Sequence, residues 1–166
     1  MAASGNLLQG VAAILRDAPA LRRLAPNWSA ADKRGHVFLG PPPPGAANAG
    51  RAPFIVVDLA ELRRGPQAGG DHPEPTTEAA LVLRLVARAG RPPLHADDGV
   101  EPCTPRCLGA AALADRVVAA LEASRDLGDP DHVLDVAIAR SAPQRLGPCE
   151  AIELKLTVRL IAQPNP

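Results

Sequence analysis

The residues of this 166-residue chain best equipped for chemistry crowd into one stretch, LHADDGVEPCTPRC at 94–107. His95, Asp97, Asp98, Cys103 and Cys107 offer imidazole, carboxylate and thiol donors there, and Cys149 could join them from further along. Zinc asks for about four such ligands in a tetrahedron, so His95 with Cys103 and Cys107 is the candidate metal set. The spacing speaks against it. Thr104, Pro105 and Arg106 separate the two cysteines, and no second paired motif follows, as a ribbon or knuckle would need. The plain alternative is a polar loop carrying two incidental thiols, so no metal and no cofactor is expected. The same thiols could bridge to each other or across subunits. A reducing cytosol opposes such a bridge, and an oxidising medium outside the cell permits it.

Other chemistries fail earlier. Ser141, His132 and Asp135 supply the residue types of a nucleophilic triad, but His132 and Asp135 fall on a predicted strand, where alternation sends them to opposite faces. Gly65, Gly69 and Gly70 form no phosphate loop, for no Gly-Lys-Ser/Thr and no strand-glycine-helix unit accompanies them. His36 and His72 are isolated, and the pairs Arg22-Arg23 and Arg63-Arg64 are too short for a nucleic-acid stripe. The expectation is a chain without catalytic residues. The polar sets with the clearest order are Arg84 and Arg88 on one predicted strand and Glu153, Lys155 and Arg159 on another. Period two places each set on one side of its strand. Such rows are either an ordinary wet sheet face or an intersubunit surface whose alternating signs fix register.

The elements that position these residues follow from periodicity. Leu7, Leu8, Val11, Ile14 and Leu15 recur at helical spacing behind Ser4 and Asn6, either of which could cap, and Pro19 ends that helix near Asp17. HVFL at 36–39 and FIVVDL at 54–59 read as strands on either side of PPPPGAANAG, which cannot join a ladder. Residues 79–89 alternate, with Leu81, Leu83, Leu85 and Ala87 on one face and Val82, Arg84, Val86 and Arg88 on the other. The apolar face needs a cover. Residues 108–124 supply it as a helix with Ala110, Leu113, Ala114, Val117 and Leu121 in one stripe. Strands at 132–140 and 150–162, joined by a Pro- and Gly-containing turn, close the chain as an antiparallel hairpin. The economical architecture is α+β: a mainly antiparallel sheet of about five strands with two helices on one face, ordered helix-strand-strand-strand-helix-strand-strand.

Composition limits the partners. With 46% hydrophobic residues, the chain has enough material for one domain over 1–166, with protruding loops at about 40–52, 65–77 and 91–107. Eighteen Lys+Arg balance 18 Asp+Glu, and the aromatics are only Trp28, Phe38 and Phe54. Neither an uncompensated basic surface nor a stacking platform is at hand, so sequence-specific nucleic-acid binding and anionic-membrane binding are not expected. The opening MAASGNLLQGVAAILRD lacks a basic leader and a continuous apolar run, and no stretch approaches the ~20 apolar residues of a membrane span. A domain that works by touching other proteins is what these limits favour.

The order of elements and several local phrases resemble one family. They are NLLQGVAAILRDAPAL, HVFLG, APFIVVDLAE, TEAALVLRLVARAG, GAAALADRVVAALEASRDL, HVLDVAIARSAPQRL and AIELKLTVRLIAQ. Taken in that order they resemble the tail-completion, or tail-terminator, proteins of long-tailed bacteriophages and phage-derived particles. The chain departs from that pattern in its long loop at 92–106 and its Pro-rich loop. The resemblance implies a ring, commonly of six copies, seated on the head-proximal end of a tail tube, where it stops tube polymerisation and offers a surface to the neck. It implies as partners other copies of the chain, the tail tube protein, neck or head-tail connector proteins and, where the tail is contractile, the sheath protein, with genome DNA passing through the ring. It also implies assembly in the host cytoplasm, residence in the virion and no catalytic residues. Another neck or head-completion connector, or a small metal- or ligand-binding domain using the His95 to Cys107 loop, are the alternatives.

Overall fold

The computed structural model describes residues 2–18, 21, 37–41, 53–64, 75–88 and 109–161. Helix α1 spans Ala2–Asp17, followed by strands β1 (Val37–Leu39), β2 (Phe54–Arg64) and β3 (Thr76–Arg88). Helix α2 (Ala110–Glu122) then leads to β4 (Val133–Arg140), β5 (Gln144–Leu146) and β6 (Cys149–Ile161). The sheet order is β1-β2-β3-β6-β4, with β5 also paired to β6. Every pairing is antiparallel except β1 with β2. The fold is α+β, as the sequence pattern predicts.

Both helices cover one sheet face. From α1, Leu7, Val11 and Leu15 are buried, and from α2 the whole anticipated stripe of Ala110, Leu113, Ala114, Val117 and Leu121. They meet Leu81, Leu83 and Leu85 of β3 and Ile152, Leu154 and Leu156 of β6, all fully enclosed. Among the described residues aliphatic side chains fill this layer, because their spacing of two on strands and of three or four on helices presents continuous apolar surfaces. α1 also makes one close approach. A side chain at Gly10 would meet the carbonyl oxygen of Leu127 at 2.3 Å, so only glycine lets the helix sit against the turn after α2. That turn holds Leu127 at φ 49 with its side chain buried, a backbone position that leucine seldom adopts.

Three expectations need correction. Among the described residues the sheet has six strands, because the turn predicted between the last two strands contains β5. Gly147, at φ 59, and Pro148 form a two-residue connection between Leu146 and Cys149, with glycine at the position where a tight hairpin needs positive φ. Between β4 and β5 the break is held by Ser141, whose N–H donates to the Glu153 carbonyl and whose Oγ accepts from the Glu153 N–H, both at 2.9 Å. The β2–β3 ladder is also longer than its apolar pattern. It runs to Arg64 opposite Thr77, so the end of the predicted 65–77 loop is strand. Polar cross-strand pairs such as Arg63 with Glu78 continue a ladder after the hydrophobic signal has stopped. Lastly, α1 begins at Ala2, which places Ser4 and Asn6 inside the helix rather than at its cap, since the alanines at its start favour helix. Most of the other two predicted loops, at 40–52 and 91–107, lies outside the described residues.

Candidate functional site

The sheet face away from the helices carries the ordered polar rows. Register places Arg84 of β3 directly across from Glu153 of β6, and the two form an ion pair at 2.9 Å with both side chains largely exposed. Lys155 stands between Val82 and Ala139, and Arg159 between Glu78 and Asp135. Arg88 ends β3 opposite Cys149. Arg84, Glu153, Lys155 and Arg159 therefore share one face, and Arg84 and Glu153 neutralise each other within the chain.

Towards the other end of this face the character changes. Phe54, Val86, Cys149 and Ala151 form a second, smaller buried cluster, and Phe38 meets Phe54 edge to face with centroids 6.1 Å apart. An adjoining groove of about 530 Å³ is lined by Pro41, Val56, Val82 and half-exposed Leu146, with Asp58 and Arg84 also on its wall. Polar-apolar alternation along the strands does not mark this patch. Its signal was the unbroken apolar run Phe54-Ile55-Val56-Val57, since a strand apolar on both faces is one covered on both faces.

The sheet's two sides end differently. Among the described residues β1 pairs only with residues 55–57 of β2, so the far half of β2 forms an edge, and β4 forms the opposite edge. On β2 the Asp58 carboxylate accepts the Leu59 N–H at 2.9 Å, and the register shifts between Leu59 and Glu61. Beyond that shift Arg63 is hydrogen-bonded to Glu78, whose bond and charge hold the guanidinium pKa above its ordinary value. On β4 the register shifts at its start, between Val133 and Asp135, and the remaining strand carries only Asp135 and Arg140 as charges. Arg140 reaches across to α2, donating to Asp115 at 2.6 Å. Leu62 and Leu134 are the large apolar side chains left open on these edges, at 48% and 49% exposure.

No protein-family model and no curated protein matches the chain. Among solved structures, it is similar to a chain from the virion of a native gene transfer agent (GTA) particle, with a TM-score of 0.53. The likeness is one of fold. Identity is 16%, while the match covers 96% of this chain and 97% of that one, so neither has a large segment without a counterpart.

Among the described residues the fold does not bring the chemical candidates together. His132 Nδ1 lies 2.7 Å from Asp129 Oδ1, and Ser141 sits at the far end of β4, roughly 26 Å away at about 3.3 Å per residue. Asp135, His132 and Ser141 thus form no triad. His95, Cys103 and Cys107 lie outside the described residues, and Cys149 is a free, buried thiol in the small apolar cluster. Among the described residues no group of three or more His, Cys, Asp or Glu side chains could hold a metal ion, and no helix is long and apolar enough to cross a membrane.

Proposed function

We propose that this chain is a non-catalytic structural protein of a phage-like virion, acting as a tail terminator. In this reading several copies, commonly six, close into a ring on the head-proximal end of the tail tube, stop tube polymerisation and present a surface for head attachment. Its partners are other copies of itself, the tail tube protein and the neck or connector proteins, with a sheath protein added if the tail is contractile. Genome DNA passes through the ring. The single observation that supports this most is the end-to-end fold likeness to a chain of a gene transfer agent virion.

The open face suits such a role. Arg84, Arg88, Glu153, Lys155 and Arg159 offer mixed charges in fixed register, which contributes more to choosing a partner than to holding it. Glu153→Lys replaces the Arg84 ion pair with repulsion, and should weaken assembly while leaving the monomer folded.

Deleting the gene tests the role. Tail tubes of irregular, excessive length beside filled heads are expected. Tails of normal length that fail to join heads would move the chain to a connector function instead.

A further inference from the structure

We propose that neighbouring copies join edge to edge, with residues 134–137 of one copy's β4 pairing with residues 61–64 of the next copy's β2, so that the ring carries one continuous antiparallel sheet. This inference rests on the ring reading above and specifies its contact. Four features of the fold agree on it.

The first is placement. A closed ring needs two unlike patches on opposite sides of the subunit, and the β2 and β4 edges lie at the two ends of the sheet order. The second is direction. β2, β3, β6 and β4 alternate, so β2 and β4 run oppositely, and a head-to-tail neighbour presents β2 antiparallel to β4. Helices then all stand on one surface of the ring and the open faces on the other.

The third feature is which backbone groups point away from the strands paired among the described residues. The Ser141 N–H points at Glu153, so alternation aims the N–H and C=O groups of residues 135, 137 and 139 at β6 and those of Val136 and Ile138 outward. On β2 the Val57 carbonyl accepts the Gly40 N–H, which marks Val57 and its partner Leu83 as facing away from each other in the β2–β3 ladder. Carried along β3 by twos to Ala79, the same alternation aims the backbone groups of Leu62 outward. Leu62 and Val136 can therefore exchange both hydrogen bonds. Their side chains also agree, because Leu62 shares a face with buried Ala79, and Val136 shares one with Val158. Exposed Leu62 comes to lie along the half-buried row of Val136 and Ile138, and completes its cover.

Charge selects the register. With Leu62 opposite Val136, Arg63 falls opposite Asp135 and Glu61 opposite Ala137, which sets unlike charges face to face. A slip of two residues places Arg63 against Ala137 and loses that pair. A slip of one sends Leu62 to the wrong face.

Arg63 and Asp135 then form a non-hydrogen-bonded pair, the closest kind across an antiparallel ladder, with Cα atoms about 4.5 Å apart. Within one chain they are separated by β3 and β6, about 14 Å at about 4.8 Å per strand, too far for a disulfide. The test is the double variant Arg63→Cys with Asp135→Cys, in the full chain with Cys103→Ser, Cys107→Ser and Cys149→Ala. It is oxidised both as concentrated purified protein and in assembled particles, then run on denaturing gels without reductant. A ladder climbing to one fixed ring size is expected from the double variant, and none from either single one. Rings visible by electron microscopy without cross-linking, or cross-links that stop at dimers, overturn the edge pairing and leave the ring intact. Absence of rings from wild-type protein in both settings overturns the ring reading itself, and the edge pairing with it.

Discussion

The two faces of β3 and β6 are built from the same strands and differ in what they ask of their residues. On the helix side Leu81, Leu83, Leu85, Ile152, Leu154 and Leu156 are fully enclosed, and each must match the volume left by its neighbours. On the open side Val82, Arg84, Lys155 and Thr157 remain partly or wholly accessible, while Thr76 and the Phe54, Val86, Cys149 and Ala151 cluster are shut away. One face carries stability. The other is available for contact, and substitutions there should separate folding from assembly.

The contrast is tested most severely in the core. Leu156→Ala should cost roughly 2–5 kcal/mol in chemical denaturation, because the emptied volume sits in the fully buried layer on the helix side of the sheet, whereas Val82→Ala on the open face of the neighbouring strand should cost about 0.5 kcal/mol. Equal losses at the two sites would mean that the open face is also packed. Gly10→Ala comes next, at about 1–3 kcal/mol, since the new methyl group must push the Leu127 carbonyl and its turn away from α1. On the helix side of the β4 edge, Arg140→Ala removes an exposed ion pair to Asp115 and should cost no more than about 1 kcal/mol. The smallest effect on folding is expected from Arg84→Ala, about 0–1 kcal/mol and less in high salt, because both partners of its ion pair with Glu153 are well exposed. A larger loss at Arg84 in the isolated protein would give the open face a structural duty that its exposure does not suggest.

Much of this fold is legible in the residue order, and the reasons are local. The stripe Ala110, Leu113, Ala114, Val117 and Leu121 is visible as a helical period and is the face that α2 buries. The alternation in β3 and β6 assigns the inner leucines and the outer charges alike. Legibility ends where the signal is not apolar periodicity. The polar half of β2 and the first residues of β3 form a ladder through backbone bonds and the Arg63–Glu78 pair, which no hydrophobic pattern marks. β5 is missed for a related reason, as three exposed residues beside a Gly-Pro turn look the same whether or not they pair.

The candidate surface divides along the same line. That Arg84, Glu153, Lys155 and Arg159 occupy one face follows once their strands are identified as neighbours, because period two is a property of any strand. That Arg84 and Glu153 sit opposite each other depends on register, which the whole ladder sets. The Phe54, Val86, Cys149 and Ala151 cluster gathers residues from three strands distant in sequence, so the apolar run at 54–57 marks β2 as covered on both faces without naming the residues that cover it.

The chain by itself determined its elements and the faces that they bury, since both are written in the order of neighbouring residues. The tertiary structure decided the strand order, the register and the two strands that form edges among the described residues, because hydrogen bonds between strands join residues far apart along the chain and only the packed sheet shows which strands become neighbours.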